Sequence, residues 1–215
     1  MPPDSLNSNP LVTVAMPVYN VGAYLPEAIE SILRQTFTDF EFLIVDDAST
    51  DNSRAVIGRY DDARITLLVN ETNVGAGPAL NTAIAQARGS YIAIMNGDDI
   101  SFPHRLEKQV AFMEAHPRIG VCGGFFRTFG RLEQEWRYAT DSDDIVSGLL
   151  FNATLANNTV MLRKNLFAAG KVRYNSACRY TEDYDLWRQF IPLTRFANLP
   201  EVLLCYRLHP AQVGV

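Results

Sequence analysis

The sequence predicts a soluble α/β domain, a doubly wound and mostly parallel sheet flanked by helices, followed by a smaller β/α portion. Four short, almost continuously apolar runs occupy the first half. Patterns of helical period fill the gaps between them, and acidic residues crowd the ends of two of the runs.

The runs are residues 12–16 (VTVAM), 40–45 (FEFLIV), 65–69 (ITLLV) and 91–95 (YIAIM). They are rich in β-branched residues, as strands buried on both faces of a parallel sheet should be. Leu25, Ala28, Ile29 and Ile32 share one helical face. So do Leu80, Ala83, Ile84 and Ala87, with Pro78 suited to a first turn. A further helix is expected over 101–116, with Leu106, Val110 and Met113 inward. Strand–helix alternation of this kind builds βαβ units.

After Gly123 and Gly124 the character changes. Residues 125–138 read as a hairpin turning near Gly130. Asp141 or Ser142 is placed to cap a short helix carrying Ile145, Val146, Leu149 and Leu150. Thr181 is placed to cap another, with Leu186, Trp187 and Phe190 on its buried side. The expected organisation is a tail (1–11), a nucleotide-type half (12–122) and an acceptor-side half (123–215) of one domain.

Composition narrows the function. The chain has 215 residues, 47% hydrophobic and 20% charged, enough for one good core. A net charge of -5 without a long basic run argues against nucleic acid as a partner. Cys122, Cys178 and Cys205 are scattered, fitting neither a zinc spacing nor a disulfide scaffold, so reduced thiols in a cytoplasmic protein are expected. No signal peptide or bilayer-length apolar stretch is visible. Trp136 and Trp187 read as packing anchors, and His104 and His116 as helix-surface residues.

Ligands of open α/β sheets bind outside the carboxyl ends of the strands. Here the first strand runs into Pro17, Val18, Tyr19 and Asn20, the second into VDDAST (45–50), and the fourth into Asn96, Gly97, Asp98 and Asp99. Paired aspartates repel one another and gain nothing from packing, so a bound divalent cation is the simplest compensation, and it would let the site accept a diphosphate. Taken singly, each group also has a structural reading. Asp46 and Asp47 can cap turns, and Glu182 and Asp183 can favour a helix dipole. His209 alone reads as a surface residue.

In order along the chain, VAMPVYN, IVDDASTDNS, NVGAGPALNTAIAQARGSYIAIMNGDDIS, PHRLEKQVAFMEAHPRIGV, TEDYDLW and YRLHPAQ resemble the family-2 glycosyltransferases, from about Val12 to Gln212. The resemblance implies a GT-A fold and inverting transfer from a nucleoside-diphosphate sugar, a UDP-sugar favoured, with Mn²⁺ or Mg²⁺, in polysaccharide or glycoconjugate synthesis. It implies that Pro17, Tyr19 and Asn20 belong to the donor site, where Tyr19 and Asp47, with Asp46, hold the nucleoside. Asn96, Gly97 and Asp98 fall where the family has its DXD motif, so Asp98 would ligate the metal, with Asp99 beside it in the donor-sugar pocket. Asp183 would be the catalytic base, and His209 would approach the metal or pyrophosphate. Asn96 replaces the motif's first acid. Asn157 and Asn158 stand where relatives often have a histidine before a Val-Met pair, so no acceptor contact is carried over; a sugar, lipid-linked or protein acceptor stays open. The expected location is cytoplasmic, including the inner face of a membrane.

The same layout could serve a sugar-1-phosphate nucleotidyltransferase, but PVYNVGAY lacks that class's Gly-rich basic loop. A receiver-type phosphoacceptor module would have no use for TEDYD or YRLH. With Asn96 in the motif, an inactive nucleotide-binding relative is a third reading.

Overall fold

The structure, a computed structural model, describes residues 9–170, 172–210 and 212. Strands β1 (Val12–Val18), β2 (Phe40–Asp46), β3 (Ile65–Val69) and β4 (Tyr91–Ile94) form the parallel part of the sheet, ordered β3-β2-β1-β4. They are joined by helices α1 (Leu25–Leu33), α2 (Ser53–Ile57) and α3 (Ala76–Gln86). The winding runs outward from β1 to β3, then returns to place β4 on the other side of β1. That reversal between β1 and β4 opens the crevice in which such sheets bind ligands.

Alternation along the strands builds a core on each face. Val12, Val14 and Met16 of β1 pack with α1 and with Leu106, Val110 and Met113 of α4 (Arg105–Ala115). Ala15 of β1 packs on the other side with Leu80, Ala83 and Ile84 of α3. That side also takes Leu186, Trp187 and Phe190 of α6 (Glu182–Phe190). One polar residue interrupts β2: Glu41 is buried, receiving Thr13 Oγ1 at 2.7 Å and the Arg88 guanidinium at 2.7 Å.

The chain after β4 extends the same sheet with mixed pairing. Its strands are β5 (Ile100–Ser101), β6 (Ile119–Gly130), β7 (Gln134–Trp136), β8 (Met161–Arg163) and β9 (Arg195–Leu208). Strand β8 joins antiparallel to β4 and β6, and β6 runs parallel to β9. The boundary at 122/123 therefore falls inside β6, and Gly123 and Gly124 lie within that strand.

Several expectations are corrected. Strand β3 is the sheet edge, with Leu67 and Val69 exposed, because no strand lies beyond it. Helix α4 starts at Arg105; Ile100 and Ser101 pair with β9 instead. The hairpin of β6 and β7 exists, with Gly130 at φ 96°, but most of β6 pairs with β9. Asp141 caps α5 (Ser142–Gly148), accepting the amides of Asp143 and Asp144 at 3.1 Å. Leu150 lies beyond α5 and is exposed. Thr181 precedes α6 without a side-chain cap, since its hydroxyl donates to the Cys178 carbonyl. Trp187 is buried as expected, whereas Trp136 sits exposed on β7, stacked on Phe126. The three cysteines are free. Among the described residues no helix is long and apolar enough to cross a membrane.

Candidate active site

Asp46 ends β2 in register with Val18 of β1, so the segments after both strands leave the sheet side by side. Pro17 lies within β1 opposite Val45, and Tyr19 projects beyond it, 47% exposed. Asn20, in the left-handed region at φ 53°, ties the two segments together. Its Oδ1 accepts the Thr50 amide at 2.8 Å, and its own amide donates to Ser49 Oγ at 3.1 Å. Asn tolerates this backbone because its short side chain bonds locally.

Ala48 adopts φ 60° in the same loop, where an L side chain is strained. Left-handed backbone costs a non-glycine residue roughly 1–2 kcal/mol, while glycine loses about 0.5–1 kcal/mol in entropy. Ala48→Gly should therefore raise the unfolding free energy by about 0.7 kcal/mol in urea titration. Unchanged or lower stability would mean that the loop holds Ala48 without strain.

The two acids of VDDAST are buried and differently engaged. Asp46 Oδ2 accepts the Arg54 Nε–H, and Asp46 Oδ1 is buried with no hydrogen-bond partner among the described residues. Asp47 accepts Asn70 Nδ2 at 2.8 Å, the Val74 amide at 3.1 Å and the Gly75 amide at 2.8 Å. It thus anchors the loop that starts α3, and a base N–H could reach it only by sharing those lone pairs. Glycine at 77 lets α6 approach α3: a Cβ there would lie 3.0 Å from the Glu182 side chain. The helix start bearing Asp183 is held against the helix start that Asp47 anchors.

Across the reversal, the turn after β4 brings four site residues together. Gly97 fits there because a Cβ would meet Val21 at 3.0 Å. Asp98 Oδ2 lies 3.1 Å from His209 Nε2, both side chains largely buried. Since an ionised Asp98 only accepts, Nε2 carries the proton in this arrangement and Nδ1 is left without a partner among the described residues. The His209 ring packs on Tyr24, centroids 4.3 Å apart, so the surface reading of His209 is corrected.

Asp99 is corrected as well. Its side chain is fully buried and faces protein donors: Asn158 Nδ2 at 2.6 Å, Asn96 Nδ2 at 3.2 Å and the Arg207 amide at 2.9 Å. Burial, with the charge of Asp98 beside it, pushes its carboxyl up to about 7. Asn96 is legible in this setting. An amide donates to Asp99, whereas an acid at 96 would set a third carboxylate against the pair.

Asp183 opens α6 with its Oδ1 accepting the Tyr184 amide at 2.8 Å. Burial raises its pKa above the ordinary aspartate value, and Glu182 adds to the rise. Burial raises the pKa of the Tyr138 and Tyr206 phenols, with the charge of Asp183 adding to the first and those of Asp99 and Asp98 to the second. Both rings pack on Phe126, with centroids 6.2 and 5.4 Å from its own.

The model of the family described as Glycosyl transferase family 2 matches residues 13–180. The chain belongs to that family. Among its relatives, the Escherichia coli UDP-Glc:alpha-D-GlcNAc-diphosphoundecaprenol beta-1,3-glucosyltransferase WfgD is 30% identical over 206 residues, 95% of this chain and 79% of that protein. Two solved structures share the fold. S. aureus TarS in complex with UDP-GlcNAc superposes with a TM-score of 0.81 at 20% identity, over 94% of this chain and 59% of that one. The mannosyltransferase PcManGT from Pyrobaculum calidifontis, in complex with GDP-Man and Mn²⁺, gives 0.74 at 20% identity, over 95% and 59%. This glycosyltransferase thus has the expected GT-A fold and spans about three fifths of those solved chains.

Sequence reasoning gave no role to Arg54, Asn158, Arg207 or Arg105. Arg207 donates to the Asp98 carbonyl at 2.8 Å and pairs with Glu27. Its guanidinium lies 4.9 Å from the Tyr24 ring centroid. An arginine two residues before a candidate ligand was the available signal. Arg105 carried none, because a charged residue in a helix is solvated by default.

Proposed function

We propose that this glycosyltransferase is an inverting enzyme that moves a sugar from a nucleoside diphosphate, with UDP favoured, to an acceptor hydroxyl in polysaccharide or glycoconjugate synthesis. The observation that carries the reading is the Asp98–His209 pair at the sheet reversal, together with the half-buried Asp183 at the start of α6, whose pKa burial raises. The Asp98 carboxylate and the His209 imidazole would hold a cation such as Mn²⁺ once the ring proton moves from Nε2 to Nδ1, which frees Nε2 as a ligand. Among the described residues no cluster of three or more His, Cys, Asp or Glu stands ready, so a diphosphate would have to complete the coordination. When bound, Mn²⁺ or Mg²⁺ would offset the negative charge that gathers on the departing diphosphate.

The chain's own residues supply the rest. Tyr19, with Pro17, Asn20, Asp46 and Asp47 around it, takes the nucleoside at the ends of β1 and β2. Asp183 removes the acceptor's proton as that oxygen forms its bond to the anomeric carbon. The bond from that carbon to the diphosphate breaks on the opposite face, its electron pair leaves with the phosphate, and the configuration inverts. The raised pKa of Asp183 makes it a better base than an ordinary carboxylate. The E. coli relative, named for a diphosphoundecaprenol-linked acceptor, supports placement at the cytoplasmic face of a membrane.

A carboxylate in the base pocket accepts from the N3–H of uracil or thymine or the N1–H of guanine, and adenine offers no such donor. In thermal-shift and calorimetric titrations with Mn²⁺, UDP, then dTDP or GDP, should bind more tightly than ADP. ADP as the tightest of the four would refute this pocket.

A further inference from the structure

Arg105 and Gln109 stand one turn apart on α4 and are buried at 1% and 0% exposure. Arg105 donates through Nη2 to the carbonyls of Ile94 at 2.7 Å and Val160 at 3.3 Å, and through Nε to Gln109 Oε1 at 3.1 Å. Gln109 Nε2 donates to the carbonyls of Cys122 at 2.8 Å and Thr159 at 2.9 Å. An apolar pair would fill this space at less cost in desolvation. What an apolar pair could not do is fix particular carbonyls.

Three of those carbonyls, of Ile94, Thr159 and Val160, belong to the two segments that meet at Asp99, and the fourth, of Cys122, lies in the neighbouring strand β6. Ile94 is the last residue of β4, just before the turn holding Asn96, Asp98 and Asp99. Thr159 ends the 3-10 turn Asn157–Thr159, whose Asn158 donates to Asp99 at 2.6 Å. Tyr174 braces the same turn, its hydroxyl donating to Asn157 Oδ1 at 2.9 Å. Asp99 in turn accepts the Arg207 amide at 2.9 Å, which fixes the end of β9 two residues before His209.

We infer that Arg105, Gln109 and Asn158 are positioning residues that act through Asp99 to hold Asp98 and His209 against each other. None of them need touch donor or acceptor. What the held pair does rests on the function proposed above; that it is held this way does not.

The test uses ¹⁵N-histidine labelling of the whole protein, whose only histidines are His104, His116 and His209. Asp98→Asn supplies the reference spectrum of a perturbed pair. In Arg105→Lys and Asn158→Ala the His209 ring signals should move toward that reference, while those of His104 and His116 stay in place. The double variant should move them no further than the stronger single change, since both act on one chain of contacts. If Arg105→Lys does not fold, Asn158→Ala, which leaves α4 intact, carries the test. Folded variants with parental His209 signals, or fully additive shifts, would overturn the inference. Calorimetry with UDP and Mn²⁺ then separates the two readings. Perturbed His209 signals in a protein whose UDP affinity never responds to Mn²⁺ would uphold the positioning and sink the metal assignment.

Discussion

Asp183→Asn should lower the transfer rate by roughly a hundredfold or more, the typical worth of a general base, while UDP binding stays at the parental level. The amide keeps the shape of the carboxylate but cannot take the acceptor's proton. Donor binding should survive because the proposed nucleoside site lies at the ends of β1 and β2, away from Asp183 on α6. The fold should survive as well. Losing the acid from the first turn of α6 gives up a few tenths to about one kcal/mol of dipole interaction, and removing a partly buried charge acts in the opposite sense. The parent's rate should also depend on pH in a definite direction. A base works deprotonated, so transfer should fall as pH drops through a pKa that burial has raised above the usual aspartate value. Steady-state rates across pH, beside calorimetry of UDP, check both points. A variant that binds and transfers like the parent would remove Asp183 from the mechanism and leave it a helix-start acid.

Asp98→Ala should abolish the part of UDP affinity that depends on Mn²⁺. Couplings between two ligands at one protein typically span about 5- to 150-fold, so a loss of at least about fivefold is expected at saturating metal. Metal-free affinity should change little, because Tyr19, Asp46 and Asp47 stand on other strand ends. The substitution also leaves His209 Nε2 without its partner in a largely buried place. An orphaned buried donor costs about 1–3 kcal/mol, so urea unfolding should show a drop of that order in a protein that still folds. Equal UDP affinity for variant and parent in Mn²⁺ would refute the metal assignment.

The first half of the fold was legible because its signals are local. Strands β1, β2 and β4 are buried on both faces and read as continuous apolar runs, and the faces of α1 and α3 repeat at the helical period. Strand β3 gives the same apolar signal at the exposed edge, since a run of that kind does not report how many neighbours the strand has. Strand β9 was not legible as a strand. It contains Pro200, which cannot donate to a ladder, and the register with β6 steps from Gly124↔Leu199 to Phe125↔Val202, so the irregularity falls at the proline. Its partner also lies more than seventy residues away, beyond any local pattern.

The site divides along the same line. The acids at the strand ends could be picked out because polar residues after apolar runs are unusual, and TEDYD and YRLH came with the family resemblance. What each acid touches is a matter of long-range contact. Asp99 and Asp98 look equivalent in Asn96, Gly97, Asp98 and Asp99, yet one faces His209 and the other is enclosed by Asn158 and Arg207, 59 and 108 residues away. Asp46 and Asp47 likewise separate only through Arg54 and the Val74 and Gly75 amides.

The most direct measurement is a crystal structure of the protein grown with UDP and Mn²⁺, with anomalous diffraction recorded at the manganese edge. The account predicts a manganese peak within coordination distance of an Asp98 carboxylate oxygen and His209 Nε2, bridging to the diphosphate, with the uracil beside Tyr19 at the ends of β1 and β2. A manganese peak remote from Asp98 and His209, or UDP bound away from those strand ends, would contradict it.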